Sequence, residues 1–442
     1  MKLVKVAVTM ALALTYGSAY AFHDGGVARC EGCHTMHNSS TGTATVNSKM
    51  TANALPIGTT NPYLLQGSDP SSTCLICHGP TSPGSYHVFD SNAVSGKINQ
   101  NTVNMTPGGD FSWTEISQRN GHNIVAKDFP ALAADTRLNP PGLTGSTWTG
   151  SNFSCVNCHD PHGQSRFTSA TTQARNVANA DGSVNGTGLP PIAKSGSYGG
   201  ASYQAYAAAG TAGSYRLLGG QGWTPRSNAG SPVFAVNPPI ALAPSTYNNS
   251  ELAFTLAPGG HTGQTVVTYV SGMSDWCGTC HGAFHGQATS TNLGSTDLRH
   301  PSGATAQLNG LATNYNKYIS TGNLNGTQAY DALMPVELGG TRDNAAALPV
   351  DITGTVAINV PATANVMCLT CHRAHASGFT SMLRWDMGSQ FNSIGTSGDA
   401  TGANGNALAN TAAGYYYRGM NGAGNQYGSY QRAMCNKCHV KD

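Results

Sequence analysis

All twelve cysteines of this 442-residue chain fall in Cys-x-x-Cys pairs, and each pair is followed at once by histidine. The sites are Cys30/Cys33/His34, Cys74/Cys77/His78, Cys155/Cys158/His159, Cys277/Cys280/His281, Cys368/Cys371/His372 and Cys435/Cys438/His439. No other feature limits the fold so severely. Residues three apart share one face of a helical turn, so each motif presents two thiols side by side with an imidazole just beyond. An even cysteine count would suit a disulfide framework, but a framework has no use for the trailing His. A zinc ribbon needs two such pairs per ion and no trailing His either. Six redox dithiols would be odd in one chain, and no βαβ pattern surrounds these. The pattern is the attachment signature of c-type haem: the thiols meet two vinyl groups of one porphyrin edge and the His takes the iron. Six sites predict six covalently bound haem c groups.

The motifs are irregularly spaced, which rules out a regular repeat array. Gly accounts for 55 residues and charged residues for only 10%, a chemistry of loops and turns. Coiled coils, helical solenoids and membrane bundles are excluded on that ground. The expected fold is mostly irregular coil with short helices at the haem motifs and little β. It is that of a multihaem cytochrome wrapped around a stacked haem chain, in which the porphyrins supply much of the core. The haem-free stretch 163–276 is expected to form ordered loops with a few short strands. With 22 basic against 20 acidic residues, no basic stripe for nucleic acid is predicted.

The N-terminus reads as a secretory signal over residues 1–21. Lys2 and Lys5 precede an apolar run, and Ala19-Tyr20-Ala21 supplies the cleavage site. The mature protein is then a single hexahaem domain, 22–442, exported and without a membrane span. Without Lys2 and Lys5 its basic and acidic side chains balance at 20 each. Two propionates per haem bring the assembly to roughly −6 when all six irons are ferric and roughly −12 when ferrous. So few Lys and Arg cannot pair every propionate, leaving many to Ser, Thr, Asn, backbone N–H or solvent.

Beyond the six proximal His, nine remain for the opposite side of each iron. His37, His162 and His375 each follow a motif as Cys-x-x-Cys-His-x-x-His, and His285 follows one residue later. Such a His faces away from its own iron and reaches a neighbouring haem. His23 is placed to close back on the first haem, while His122 and His300 sit in tight turns suited to fixing an imidazole. His87 completes the candidates; His261 is left out of the set. Bis-His ligation saturates the iron, whereas a multihaem reductase keeps one position open, often with a special proximal ligand. All six motifs end in His, and no other catalytic constellation is present, which favours an electron-transfer protein over an enzyme.

Several stretches outside the motifs point further. FHDGGVARCEGCHTMHNS at 22–39, MTPGGDF at 105–111, GHNIVA at 121–126, CVNCHDPHG at 155–163 and GMSDWC at 272–277 are among them. LRHPSG at 298–303, CLTCHRAHASGF at 368–379 and YQRAMCNKCH at 430–439 continue the series. With these the chain resembles the outer-surface hexahaem c-type cytochromes that polymerise into extracellular filaments in metal-reducing bacteria. The resemblance implies stacked bis-His haems in a head-to-tail homopolymer at the cell surface, with electrons passing to extracellular acceptors such as metal oxides or partner cells. It also implies that His37 ligates the haem of His372 in the next protomer, a heterologous contact that repeats without closing. A monomeric periplasmic or extracellular shuttle, with His37 used internally, is the alternative; a multihaem reductase is the third reading.

Overall fold

The computed structural model describes residues 30–34, 64–79, 88–89, 108–132, 134–135, 140, 148, 150–159, 161, 218–220, 223, 231–236, 238–239, 267–282, 300–319, 322, 324–325, 330–331, 334–340, 358–384 and 432–439, and the strands given below. Its helices are α1 (Cys30–Cys33), α2 (Pro70–His78), α3 (Trp113–Ile116), α4 (Met273–His281), α5 (Leu311–Lys317), α6 (Cys368–Cys371) and α7 (Arg432–Cys435). The strands are β1 (Ser39–Ser40), β2 (Thr43–Ala44), β3 (Ser165–Phe167), β4 (Gln173–Arg175), β5 (Thr211–Gly213), β6 (Ala241–Pro244), β7 (Thr255–Ala257), β8 (Gly260–Thr262) and β9 (Thr268–Tyr269). They form small antiparallel units: β1–β2, β3–β4, β7–β8 and the three-stranded β5–β6–β9. The protein is therefore mostly coil with short helices and little strand, as its composition leads one to expect. The strands β3 to β9 all lie in the haem-free stretch.

Four of the motifs have both cysteines on α-helix, and the sixth begins on one, since α7 ends at its first cysteine. In α2, Asp69 caps the N-terminus by accepting the Ser72 N–H at 3.0 Å, and Pro70 occupies the first turn, where its missing N–H costs nothing. In α4 the cap comes from far along the chain: Glu337 Oε1 accepts the N–H groups of Gly272 at 3.1 Å and Met273 at 2.8 Å. The third motif departs from expectation, since Cys155–Asn157 forms a 3₁₀ turn. There the Asn157 side chain folds back, its Oδ1 accepting the Ser154 N–H at 2.7 Å while its Nδ2 donates to the Ser231 hydroxyl at 2.8 Å. A side-chain amide so engaged competes with the regular helical pattern.

The side chains build more core of their own than a porphyrin-filled interior would require. A large cluster includes Phe234, Trp276, Tyr315, Ile319, Val336, Val366 and Met367, with Cys158, Cys277 and Cys438 packed against it. A smaller one joins Leu75, Phe89, Phe111, Ile124, Ala126 and Leu132, with Cys155 at its edge. These attachment cysteines thus stand on the margins of packed side chains.

The motifs are also joined by a recurring contact. Ser71 and Ser274, each three residues before the first cysteine of its motif, are fully buried. Ser71 Oγ accepts the Cys155 N–H at 3.1 Å, and Ser274 Oγ accepts the Cys368 N–H at 3.1 Å. One serine in the second motif's helix therefore holds the third motif, and its counterpart in the fourth holds the fifth.

Glu337 provides a test of the α4 cap. Burial pushes its carboxyl from 4.5 to about 7, so the folded chain binds more protons than the unfolded one between those values. Stability should fall as pH rises through that interval. A Glu337→Gln variant, which keeps an acceptor for both N–H groups, should lose this component; thermal unfolding midpoints at pH near 5 and near 8 compare the two slopes.

Candidate haem-ligating site

The site is organised by three stretches of backbone. Ala376 forms bridges to both Gly109 and Gly121. His375 N–H donates to Gly108 at 2.6 Å, His122 N–H to His375 at 2.9 Å and Ser377 N–H to Asn120 at 2.9 Å. Residues 374–377 are thereby fixed between 108–110 and 120–122, and His122 and His375 emerge from neighbouring positions. The glycines are what permit this approach. A Cβ at Gly108 would lie 2.7 Å from Nδ1 of His375, and one at Gly121 would lie 2.5 Å from Cβ of Ala376. Gly109 also has φ +80, a left-handed conformation that favours glycine.

Each of these imidazoles is backed by a phenylalanine. Phe111 stacks on His375 with ring centroids 4.8 Å apart, and Phe153 stacks on His122 at 5.3 Å. The front of each ring faces a proximal His from another motif. His122 and His281 have ring centroids 6.0 Å apart, and His159 and His375 are 6.3 Å apart. Near the C-terminus His300 and His439, both exposed, form a third pair at 6.1 Å. Two metal–imidazole bonds of about 2 Å, plus about 1 Å from each ligating nitrogen to its ring centre, put two such rings about 6 Å apart across one iron. The three pairs show that separation.

In three histidines the Nδ1 atom is held by a backbone carbonyl, whereas that of His375 is buried without a hydrogen bond. His122 Nδ1 lies 2.6 Å from the Ala374 carbonyl, His300 Nδ1 lies 2.8 Å from that of Pro301, and His372 Nδ1 lies 2.7 Å from that of Ser381. Donation from Nδ1 leaves Nε2 with its lone pair outward, the tautomer that a metal requires. Burial pushes His122 down to about 4, helped by His281, and His375 down to about 3, helped by His159. Both are held neutral. The Ser381 carbonyl is presented by two consecutive left-handed residues, Ser381 (φ 61) and Met382 (φ 57), each costing about 1 kcal/mol.

Most of the thiols are raised, unlike those of a redox dithiol, whereas Cys155 is lowered by its hydrogen bond with Cys74. Burial pushes Cys280 and Cys438 up to about 11 and Cys371 up to about 12, whereas a reactive Cys-x-x-Cys thiol is lowered. Neighbouring motifs meet through these groups in chain order. Cys33 acts electrostatically on Cys74, Cys74 shares a hydrogen bond with Cys155, and Cys158 acts on Cys277. Cys277 in turn shares a hydrogen bond with Cys368, and Cys371 feels Cys435 and Cys438. The six motifs form one spatial series.

Cys77 stands apart from the other attachment cysteines. It is exposed, whereas the other cysteines whose burial is described, Cys74 of the same motif among them, are half-buried. The cause lies in α2. Cys77 follows Leu75 by two residues, about 200° around the helix axis. Leu75 is 1% exposed and joins the smaller core, so the helix turns Cys77 toward the opposite side. Its place three residues after Cys74 on one helix is nevertheless the spacing that a porphyrin edge requires.

Of the sequence-predicted residues, all six proximal His are described, and His122, His300 and His375 are each brought to one of them. His23, His37, His87, His162 and His285 lie outside the described residues. His261 is on β8, its backbone paired with Leu256. The sequence reading did not single out Phe111, Phe153, Gly108, Ser71 or Ser274 for roles at the site. Phe111 and Gly108 fall within the conspicuous MTPGGDF stretch, but Phe153 carries no sequence signal.

Paired thiols followed at once by an imidazole, repeated six times, define a c-type cytochrome. No protein-family model matches the chain. It is 41% identical over 460 aligned residues to the C-type cytochrome OmcS of Geobacter sulfurreducens, covering 98% of this chain and 97% of that one. Two solved filament structures of that protein, one of them cryo-EM of OmcS nanowires and the other of an outer membrane cytochrome S filament, match at TM-scores of 0.68 and 0.66. Each is 38% identical, with 95% of this chain and 100% of the other covered. The chain belongs to the OmcS-like c-type cytochromes. Among the described residues no helix is long and apolar enough to cross a membrane.

The cradle around His375 makes a sharp prediction. Gly108→Ala should push this imidazole off its metal and leave one site five-coordinate, giving a high-spin signal and CO binding at a single haem. Phe111→Ala should give a smaller high-spin fraction at the same site.

Proposed function

We propose that the chain is exported after cleavage at Ala21, carries six covalent haem c groups and polymerises head to tail outside the cell, conducting electrons to extracellular acceptors. The observation that supports it most strongly is the set of three imidazole pairs, each joining different motifs at 6.0 to 6.3 Å. Haem c, when bound, supplies a one-electron iron couple; the residues do the rest. The twelve cysteines hold the six porphyrins, and His34, His78, His159, His281, His372 and His439 bind on the proximal side. His122, His375 and His300 close the fourth, third and sixth sites, leaving no open position for a substrate and so no enzyme chemistry at these irons.

A shift of two motifs extends the assignment. His375 follows the fifth motif and faces His159 of the third. By the same rule His162, after the third motif, serves the first. His37, after the first, runs off the start of the chain and serves the fifth motif, that of His372, in the next protomer. His122 and His300 each precede an odd-numbered motif and face the even-numbered one that follows it. His23, preceding the first motif, then serves the second, that of His78, in place of the first. His87 and His285 are surplus. The His37 bond makes each junction a coordinate link, a heterologous contact that repeats without closing and so grows to a filament.

A pyridine haemochrome assay should return six haems per chain, with low-spin spectra throughout and filaments in negative stain. His37→Ala should keep six haems yet yield particles of single-protomer mass, with one haem able to bind CO. Normal filaments from that variant would overturn the cross-protomer ligand. CO binding at full occupancy by the unaltered protein would overturn the bis-His assignment.

A further inference from the structure

Among the described residues, buried charges that act on the haem motifs differ in sign by position, although Asp110, Asp331, Glu337 and Arg373 are buried too. Beside the second and third motifs they are carboxylates. Asp69 takes the Ser72 N–H, the Ser72 hydroxyl and the Lys127 N–H, and Asp128 takes the N–H and hydroxyl of Ser68. Asp69 acts on both Cys74 and Cys155, in each case disfavouring negative charge there. Beside the fifth and sixth motifs the buried groups include cations. Arg384, 1% exposed, donates from Nε to the carbonyls of Leu369 at 2.8 Å and His372 at 3.3 Å, both within the fifth motif. Lys437, fully buried within the sixth motif, donates to the carbonyls of Tyr318 at 2.9 Å and Tyr315 at 3.3 Å. Its ammonium also lies 4.2 Å from the centre of the Tyr315 ring. Arg384 acts on Cys371 and His372, and Lys437 on Cys438, in the sense that favours negative charge.

We propose that these buried charges rank the redox sites, so that the fifth and sixth haems, beside Arg384 and Lys437, are reduced more readily than the second and third, beside Asp69. The inference rests on the assignment of six bis-His haems above and adds to it an order. Each couple is Fe(III) gaining one electron from a neighbouring haem to become Fe(II), with no bond made or broken and no proton required. Reduction adds one negative charge, which a fixed cation stabilises and a fixed carboxylate opposes. Because these charges are buried, solvent ions screen them little. Two groups act against the trend. Asp331, also buried, faces Lys437 and offsets part of its field. Glu337 acts on Cys368, but burial lifts it to about 7, so it carries a partial charge at neutral pH.

The test is a spectroelectrochemical titration of the intact, haem-loaded protein. Arg384→Gln and Lys437→Met should each make one of the highest-potential components harder to reduce, by roughly tenfold in ferrous-to-ferric ratio, about 59 mV for a one-electron couple. Asp69→Asn should make a low-potential component easier to reduce by a similar factor. Arg384→Lys should keep the original curve. Should a buried variant fail to assemble, the half-buried Asn436 of the sixth motif gives a second route: Asn436→Asp should move a high-potential component down and Asn436→Lys should move it up. The proposal is overturned if the charge-removing variants leave the upper components in place, or if the Asn436 pair moves the lower ones. A haem count below six would overturn the underlying assignment instead, so the two failures are distinguishable.

Discussion

Three pieces of chain meet at Ala376, and the geometry of the site follows from that meeting. Residues 108–110, 120–122 and 374–377 are bonded backbone to backbone, with no room for side chains at Gly108, Gly109 or Gly121. From this junction one imidazole faces the third motif and another faces the fourth. The contact spans more than half the chain, so early and late segments must both be in place before either imidazole is. Phe111 and Phe153 then fix ring orientation by stacking, and the carbonyl of Ala374 fixes the tautomer of His122.

The parts legible in sequence are those whose chemistry is local. Cys-x-x-Cys-His is read directly because all its ligating atoms come from five consecutive residues. The coil-rich architecture follows from a chain with 55 Gly and few charged residues. The partner of a distal His is another matter. His122 and His281, or His159 and His375, come together through tertiary structure, and the order by motif shows only once those pairs are seen. Exposure within a motif is hidden in the same way, since only the packing of Leu75 reveals that Cys77 faces outward. Lys437 shows the converse: a lysine between two attachment cysteines looks like a surface residue, yet it is fully buried beneath α5. The 3₁₀ turn at the third motif escaped for a subtler reason. It depends on Asn157 bonding both to Ser154 and to Ser231, and the second bond is remote.

A composition poor in charge also gives each buried charge unusual weight. A buried ion is tolerated where dipoles surround it, and serine hydroxyls, backbone N–H groups and carbonyls supply them here. Such neutral partners stabilise a charge without cancelling its field, unlike an opposing ion. These partners leave the fields of Asp69 and Arg384 available to neighbouring groups, whereas Asp331 offsets part of the field of Lys437.

The matching serine contacts at Ser71 and Ser274 have a consequence for how such proteins diversify. Each ties one motif to the next by a single bond to a backbone N–H, made at the same offset from the cysteine pair. The chain between the tied motifs plays no part in that bond. Loops between the tied motifs can therefore lengthen, shorten or change character over evolutionary time while the contact from one motif to the next is kept.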